Sequence, residues 1–221
     1  MSPTNKPYIA FFDLDETLLS ENSGRIFWNY CFKNGYYTPS ENMFLGLSLL
    51  KFILGVNDTE DFVRGWAKVF NGWSEDKMLA LAEKVYHEAI QQTIRPLAVQ
   101  EIKKHQDNAA QVVILSASTP YVCNPVAQAL NVNTVICTRL EIQEGTFTGN
   151  FASPYVFGEQ KYLSALQYAN EKGIDLQSCY YYGDAHTDRF VMEAVGLPVC
   201  VTPDKKLRTH AQEKNWPILM W

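Results

Sequence analysis

Apolar and polar positions follow two different rhythms along this chain. Residues 8–12 (YIAFF) form a short aromatic and β-branched run, the pattern of a strand buried on both faces. The run stops at Asp13, and Asp15 and Thr17 follow at alternate positions, which on an extended backbone puts the three side chains on one side. From residue 21 to about 93 the period is that of helices. Asn22 or Ser23 is expected to cap a helix with Ile26, Phe27, Tyr30 and Cys31 on one face, ended by Asn34-Gly35. Pro39-Ser40 opens a second helix, which Gly55 stops. Asp58 or Thr59 opens a third, carrying Phe62, Val63, Trp66, Ala67 and Phe70, and Ser74 caps a fourth with Met78, Leu81, Ala82 and Val85 as its stripe.

Beyond Pro96 helices and strands alternate. Helices are expected over 98–106, 120–130, 161–172, 188–195 and 205–213. Strands are expected over 111–115, 133–137, 178–182, 198–201 and 217–221, and a hairpin over 140–150 turning at Glu144-Gly145. Repeated strand–helix units predict a parallel sheet with helices on both faces. The first strand belongs to that sheet. The expected organisation is therefore a discontinuous α/β core, 1–20 and 94–221, with a helical cap domain, 21–93, inserted after the first strand.

Composition narrows the partners. Hydrophobic residues make up 47% of the 221, enough for a sizeable core. A net charge of −5 argues against nucleic acid, whose phosphates select basic surfaces. Small phosphorylated substrates stay open, because a local cation can override the total. The five cysteines are widely spaced with no CxxC pair, and are read as reduced packing residues of a cytoplasmic protein. The first residues lack a basic start followed by an apolar core, so no secretory signal is expected. The most apolar stretch, 43–54, is too short to span a bilayer and contains Lys51, so no stable membrane insertion is expected.

Three buried strands end in polar residues: Asp13 with Asp15, Ser116, and Asp184. Strand ends of like polarity share one edge of a parallel sheet, where open α/β proteins bind ligands. Carboxylates gathered there repel each other unless a cation relieves them, and an oxygen-only ligand set favours magnesium. Ser116-Ala117-Ser118 before a helix opened by Pro120 makes an anion site. Ser118 is read either as a phosphate contact or as the cap of that helix. Lys161, after Gly158-Glu159-Gln160, can supply a cation to phosphate oxygens; read alone, it is a solvated first-turn lysine. Together these parts point to phosphoryl transfer.

DLDET (13–17), Ser116, Lys161 and GDAHTD (183–188) occur in the order of the motifs of the haloacid dehalogenase superfamily, and the sequence resembles it over nearly its whole length. The helical insertion after the first motif is similar to the cap of the phosphoserine-phosphatase-like branch. The resemblance implies a Rossmann-like core and a magnesium-dependent phosphatase acting on a small phosphate monoester, phosphoserine-like or related, through an aspartyl-phosphate. It implies Asp13 as nucleophile, Asp15 as acid and base, and Thr17 as the residue orienting the loop. Thr17, Ser116, the Ala117 N–H and Lys161 would bind phosphate. The Asp13 carboxylate, the Asp15 carbonyl and Asp184 would hold the magnesium, with Asp188 behind them positioning Lys161 or a metal-bound water.

One departure bears on substrate. Phosphoserine phosphatases and many relatives carry an acidic residue nine positions beyond the nucleophile, where this chain has Asn22. Phe27, Trp28, Trp66 and Trp73 are read as cap packing. Arg25 and Arg64 are read as solvated helix faces or as partners of a second anionic group, and His186 as an exposed turn residue. The rivals are a lipid-phosphate phosphatase such as phosphatidylglycerophosphatase, with 43–54 lying on a membrane surface, and a non-hydrolytic phospho-receiver. A monomer or homodimer is expected.

Overall fold

The computed structural model describes residues 7–56 and 58–221; the expectation about a secretory leader, read on residues 1–13, lies partly outside the described residues. The elements are β1 (Ile9–Phe12), α1 (Ser23–Lys33), α2 (Pro39–Ile53), α3 (Thr59–Lys68), α4 (Glu75–Val85), α5 (Pro96–Asp107), β2 (Gln111–Ser116), α6 (Pro120–Ala129), β3 (Thr134–Cys137), β4 (Leu140–Gln143), β5 (Thr146–Phe151), α7 (Glu159–Glu171), β6 (Tyr180–Gly183), α8 (Arg189–Ala194), β7 (Leu197–Val201), α9 (Lys205–Lys214) and β8 (Ile218–Leu219). Among the described residues six strands form one parallel sheet in the order β3-β2-β1-β6-β7-β8. This is the expected α/β class with a parallel central sheet.

The sheet is organised around β1, which lies between β2 and β6 and is buried along its whole length. Side chains alternate across a strand, and β1 splits accordingly. Ala10 and Phe12 join the core on the side of α5 and α6, and Ile9 and Phe11 the core under α7, α8 and α9. Phe12 stacks on Tyr182 of β6 at 4.3 Å. All five cysteines are buried and free, as packing residues.

The helices between β1 and β2 start where their caps predict. Asn22 Oδ1 accepts the Arg25 N–H (2.9 Å), Asp58 Oδ1 the Asp61 N–H (2.8 Å) and Ser74 Oγ the Lys77 N–H (3.3 Å). The chain leaves and re-enters the core side by side: the Ser20 N–H donates to the Thr93 carbonyl (2.7 Å) and the Arg95 N–H to the Leu18 carbonyl (2.9 Å). The Arg95 guanidinium donates to the carbonyls of Leu19, Glu16 and Trp221, tying this junction to the end of the chain.

The β4–β5 hairpin lies outside the main sheet and is fastened to the helical insertion. The Phe147 N–H donates to the Trp73 carbonyl (2.9 Å), the Gly72 N–H to the Phe147 carbonyl (2.8 Å) and the Glu75 N–H to the Gly145 carbonyl (2.9 Å). Gly149, at φ +81°, lies so close to α3 that a Cβ there would stand 3.2 Å from the Lys68 Cα. No helix among the described residues is long and apolar enough to cross a membrane.

Candidate active site

β1 ends at Asp13, whose N–H still bonds the Tyr182 carbonyl of β6 at 2.9 Å. The extended backbone expected through Thr17 does not persist. Glu16 takes a left-handed conformation (φ 55°), and Leu14–Leu18 curls into one wide turn closed by the Leu19 N–H on the Leu14 carbonyl (2.9 Å). The Arg95 bond to the Glu16 carbonyl (3.3 Å) helps hold that strained residue. The turn sends Asp13 and Thr17 toward β6, where the Thr17 hydroxyl donates to Asp184 Oδ1 at 3.1 Å. Asp15 goes the other way, and its Oδ1 accepts the Ser23 N–H at 2.6 Å. Burial raises the Asp15 carboxyl above its ordinary value, against the Ser23 hydrogen bonds that stabilise the anion.

Lys161 is not solvated. Only 3% exposed, its Nζ lies 2.9 Å from Asp13 Oδ1, 2.8 Å from Asp188 Oδ1 and 3.2 Å from the Tyr181 hydroxyl. Burial works against its charge, but Asp13 and Asp188 outweigh that and hold the ammonium well above the usual lysine value. Asp188 is expected to position Lys161 or a metal-bound water, and its Oδ1 accepts from the Lys161 ammonium. Gly183 permits this approach, since a Cβ there would sit 2.5 Å from Asp188 Oδ2.

Asp13, Asp184 and Asp188 present carboxylate oxygens that all lie within 4.8 Å of one another. Burial pushes Asp13 up to about 7 and Asp184 up to about 8, so without a cation both hold protons more readily than ordinary carboxylates. Asp188 Oδ2 is buried with no hydrogen-bond partner among the described residues. A buried oxygen cluster with an unmet acceptor suits a hard divalent cation.

On β2, Ser116 Oγ accepts the Ser118 N–H at 3.1 Å, and the hydroxyls of Ser118 and Ser23 lie 3.4 Å apart. The next helix begins after Thr119, so Ser118 does not cap it. Ser116, Ala117 and Ser118 line the same cavity as Asp13, Asp15, Lys161 and Asp184.

That cavity, of about 550 Å³, is closed on its far side by α1, α2 and α3. Phe27 and Trp66 pack against each other as expected (6.3 Å between ring centres), yet both line the cavity, as does Trp28. Trp73 only packs, against Phe70 and under Lys77. Arg25 lines the cavity; Arg64 pairs with Glu60 and covers Phe151 instead. His186 is half-buried rather than exposed, its ring edge-on to His210. Two contributors escaped the sequence reading. Tyr181 reads in the sequence only as part of a strand, though alternation along β6 puts it on the α7 side. Ser23 reads only as a helix start, though a first-turn N–H is an obvious anion donor.

The haloacid dehalogenase-like hydrolase family matches residues 10–193. A probable phosphatase of Mycobacterium tuberculosis is 30% identical over 95% of this chain and 74% of its own length. A histidinol-phosphatase of Neisseria meningitidis is 27% identical over 96% of this chain and 97% of its own. Among solved structures, a Bordetella pertussis protein of unknown function superposes with a TM-score of 0.89 at 24% identity, over 97% of this chain and 99% of that one.

Proposed function

Because the chain belongs to the haloacid dehalogenase-like hydrolases, as a phosphatase of that family, we propose that it hydrolyses a small phosphate monoester through an aspartyl-phosphate on Asp13. The observation that carries this reading is Asp13 Oδ1 held 2.9 Å from a buried Lys161 at the floor of the cavity. Phosphoryl transfer asks mainly for positioning and charge neutralisation. Asp13 attacks phosphorus as the bond to the leaving oxygen breaks, and Asp15 gives that oxygen its proton. Asp15 then takes a proton from water, whose oxygen attacks phosphorus and frees Asp13. Lys161 neutralises Asp13 and the phosphate oxygens, and Ser116 with the Ala117 N–H receives them. The Asp13 carboxylate, Asp184 and the Asp15 carbonyl would hold magnesium, which when bound offsets the charge gathering on the phosphate. Asp188 positions Lys161, and Thr17 positions Asp184.

Phosphate-ester names among the relatives, histidinol-phosphatase included, support the monoester class. Acid quenching during turnover, followed by mass spectrometry of the peptide holding Asp13, should reveal a phosphorylated residue. A quenched enzyme carrying no phosphate, under conditions of rapid turnover, would remove the intermediate.

A lipid-phosphate substrate has one observation in its favour. Along α2 and just past it, Met43 (66% exposed), Leu47 (53%), Leu50 (50%) and Leu54 (68%) face solvent, while Leu45 and Leu49 line the cavity. Co-sedimentation with anionic liposomes tests it, and a protein left wholly in the supernatant rejects it.

A further inference from the structure

Resting on the phosphatase reading above, we infer that the alcohol esterified to the phosphate is bulky and apolar and carries no ammonium group, an aryl or alkyl group rather than an amino acid. The two sides of the 550 Å³ cavity differ in kind. Its floor carries the ionisable side chains at the sheet edge. Its roof is apolar: Phe27 and Trp28 from α1, Leu45 and Leu49 from α2, Val63 and Trp66 from α3. Among the described lining residues of the helical insertion, Arg25 is the one charged side chain, and none is acidic.

An amino-acid phosphate brings an ammonium group into this space, and a charge taken out of water there needs a partner. The roof has none to give. Asn22, which stands where phosphoserine phosphatases carry an acid, has its Oδ1 committed to the Arg25 N–H at 2.9 Å. The neighbouring Glu21 lies on the exposed surface, 3.9 Å from the Arg25 guanidinium. Among the described residues the one lining carboxylate outside the aspartates of the floor is Glu16, exposed on the core turn. An apolar group, by contrast, gains from each methylene that it brings against the roof. The wall is continuous in character with a binding pocket for such a group, mostly apolar with a few convergent polar atoms at one end.

The test is kcat/KM for a series of n-alkyl phosphates from ethyl to octyl, alongside phosphoserine, with p-nitrophenyl phosphate reporting that the chemistry works. The expected result is a rise of roughly two- to fourfold per methylene until the cavity is filled, with phosphoserine below butyl phosphate. Leu49→Asp, at a half-buried position, is expected to flatten the rise and to lift phosphoserine relative to the alkyl series. A flat or falling series, or a preference for phosphoserine, with p-nitrophenyl phosphate hydrolysed, overturns the inference and leaves the phosphatase reading standing. No hydrolysis of p-nitrophenyl phosphate overturns the phosphatase reading and the inference with it. A rise observed in free solution identifies a dissolved substrate; a rise confined to long-chain alkyl phosphates carried in phosphatidylcholine vesicles identifies one drawn from a bilayer. Both support the apolar alcohol.

Discussion

The Ser23 main-chain N–H donates to the Asp15 carboxylate at 2.6 Å, across the junction where the chain leaves the sheet for the helical insertion. The residue proposed to move the proton is thereby tied to the first turn of α1, which lines the cavity. Ser23 occupies the first helical position of α1, the one place where proline removes an N–H without breaking a helix. Ser23→Pro should lower kcat about tenfold or more, the worth of one hydrogen bond to a charged group. It should also raise the apparent pKa assigned to Asp15 in the pH–rate profile, because the anion loses a donor. Ser23→Ala keeps the N–H but loses the hydroxyl, so its loss should be smaller than that of Ser23→Pro. Equal losses in both variants would mean that the hydroxyl or the packing, not the N–H, matters.

Lys161 bridges Asp13 and Asp188 at 2.9 and 2.8 Å. If Asp188 acts by positioning Lys161, Asp188→Asn should cost about 10–100-fold in kcat/KM, the usual effect of an outer-shell partner. The loss should fall mainly on kcat. Unchanged kinetics would reduce Asp188 to a structural residue.

Gly149 joins the hairpin to α3 in a conformation that side chains rarely adopt. Gly149→Ala should cost about 1–2 kcal/mol from the left-handed backbone alone. In a chain of this size that lowers Tm by roughly 2–8 °C. Calorimetry measures it directly, and an unchanged Tm would show that the hairpin is not fastened as described.

His105 is buried between the Tyr8 and Tyr182 hydroxyls, at 3.1 and 2.8 Å. Burial pushes its imidazole down to about 4, although the nearby Glu101 carboxylate pulls the other way. Between that value and the ordinary 6.5, the unfolded chain binds a proton that the folded chain does not, so this residue's contribution to stability falls as pH falls. From pH 7 to pH 5 the loss should be about 2 kcal/mol. His105→Gln removes that component, so its urea midpoint should fall less than the parent's over the same interval. Parallel shifts in the two proteins would contradict the assignment.

The fold was legible where local chemistry decides it. An apolar run with acids at its end located β1 and Asp13, and Asn22, Asp58 and Ser74 announced helix starts that their side chains do make. Motif order drew attention to Lys161, whose burial spacing alone would not have predicted. What stayed hidden depends on distant pairing. Nothing local to 140–151 says that its free edge bonds Gly72–Glu75, or that Arg95 gathers three carbonyls from two distant segments. The wide turn after Asp13 was hidden because Glu16 is no glycine and its left-handed backbone is imposed by surrounding bonds. The double service of Phe27, Trp28 and Trp66 was missed for another reason. An apolar helix stripe looks the same in sequence whether it meets other side chains or a cavity.

The Asp13 carboxylate, with magnesium, is proposed to perform the hydrolysis. Turnover of p-nitrophenyl phosphate by the parent protein and by Asp13→Asn, each with magnesium and with a chelator, tests this. Turnover is expected from the parent with magnesium and none under the other three conditions. Turnover by the Asp13→Asn protein that survives the chelator would rule the proposal out.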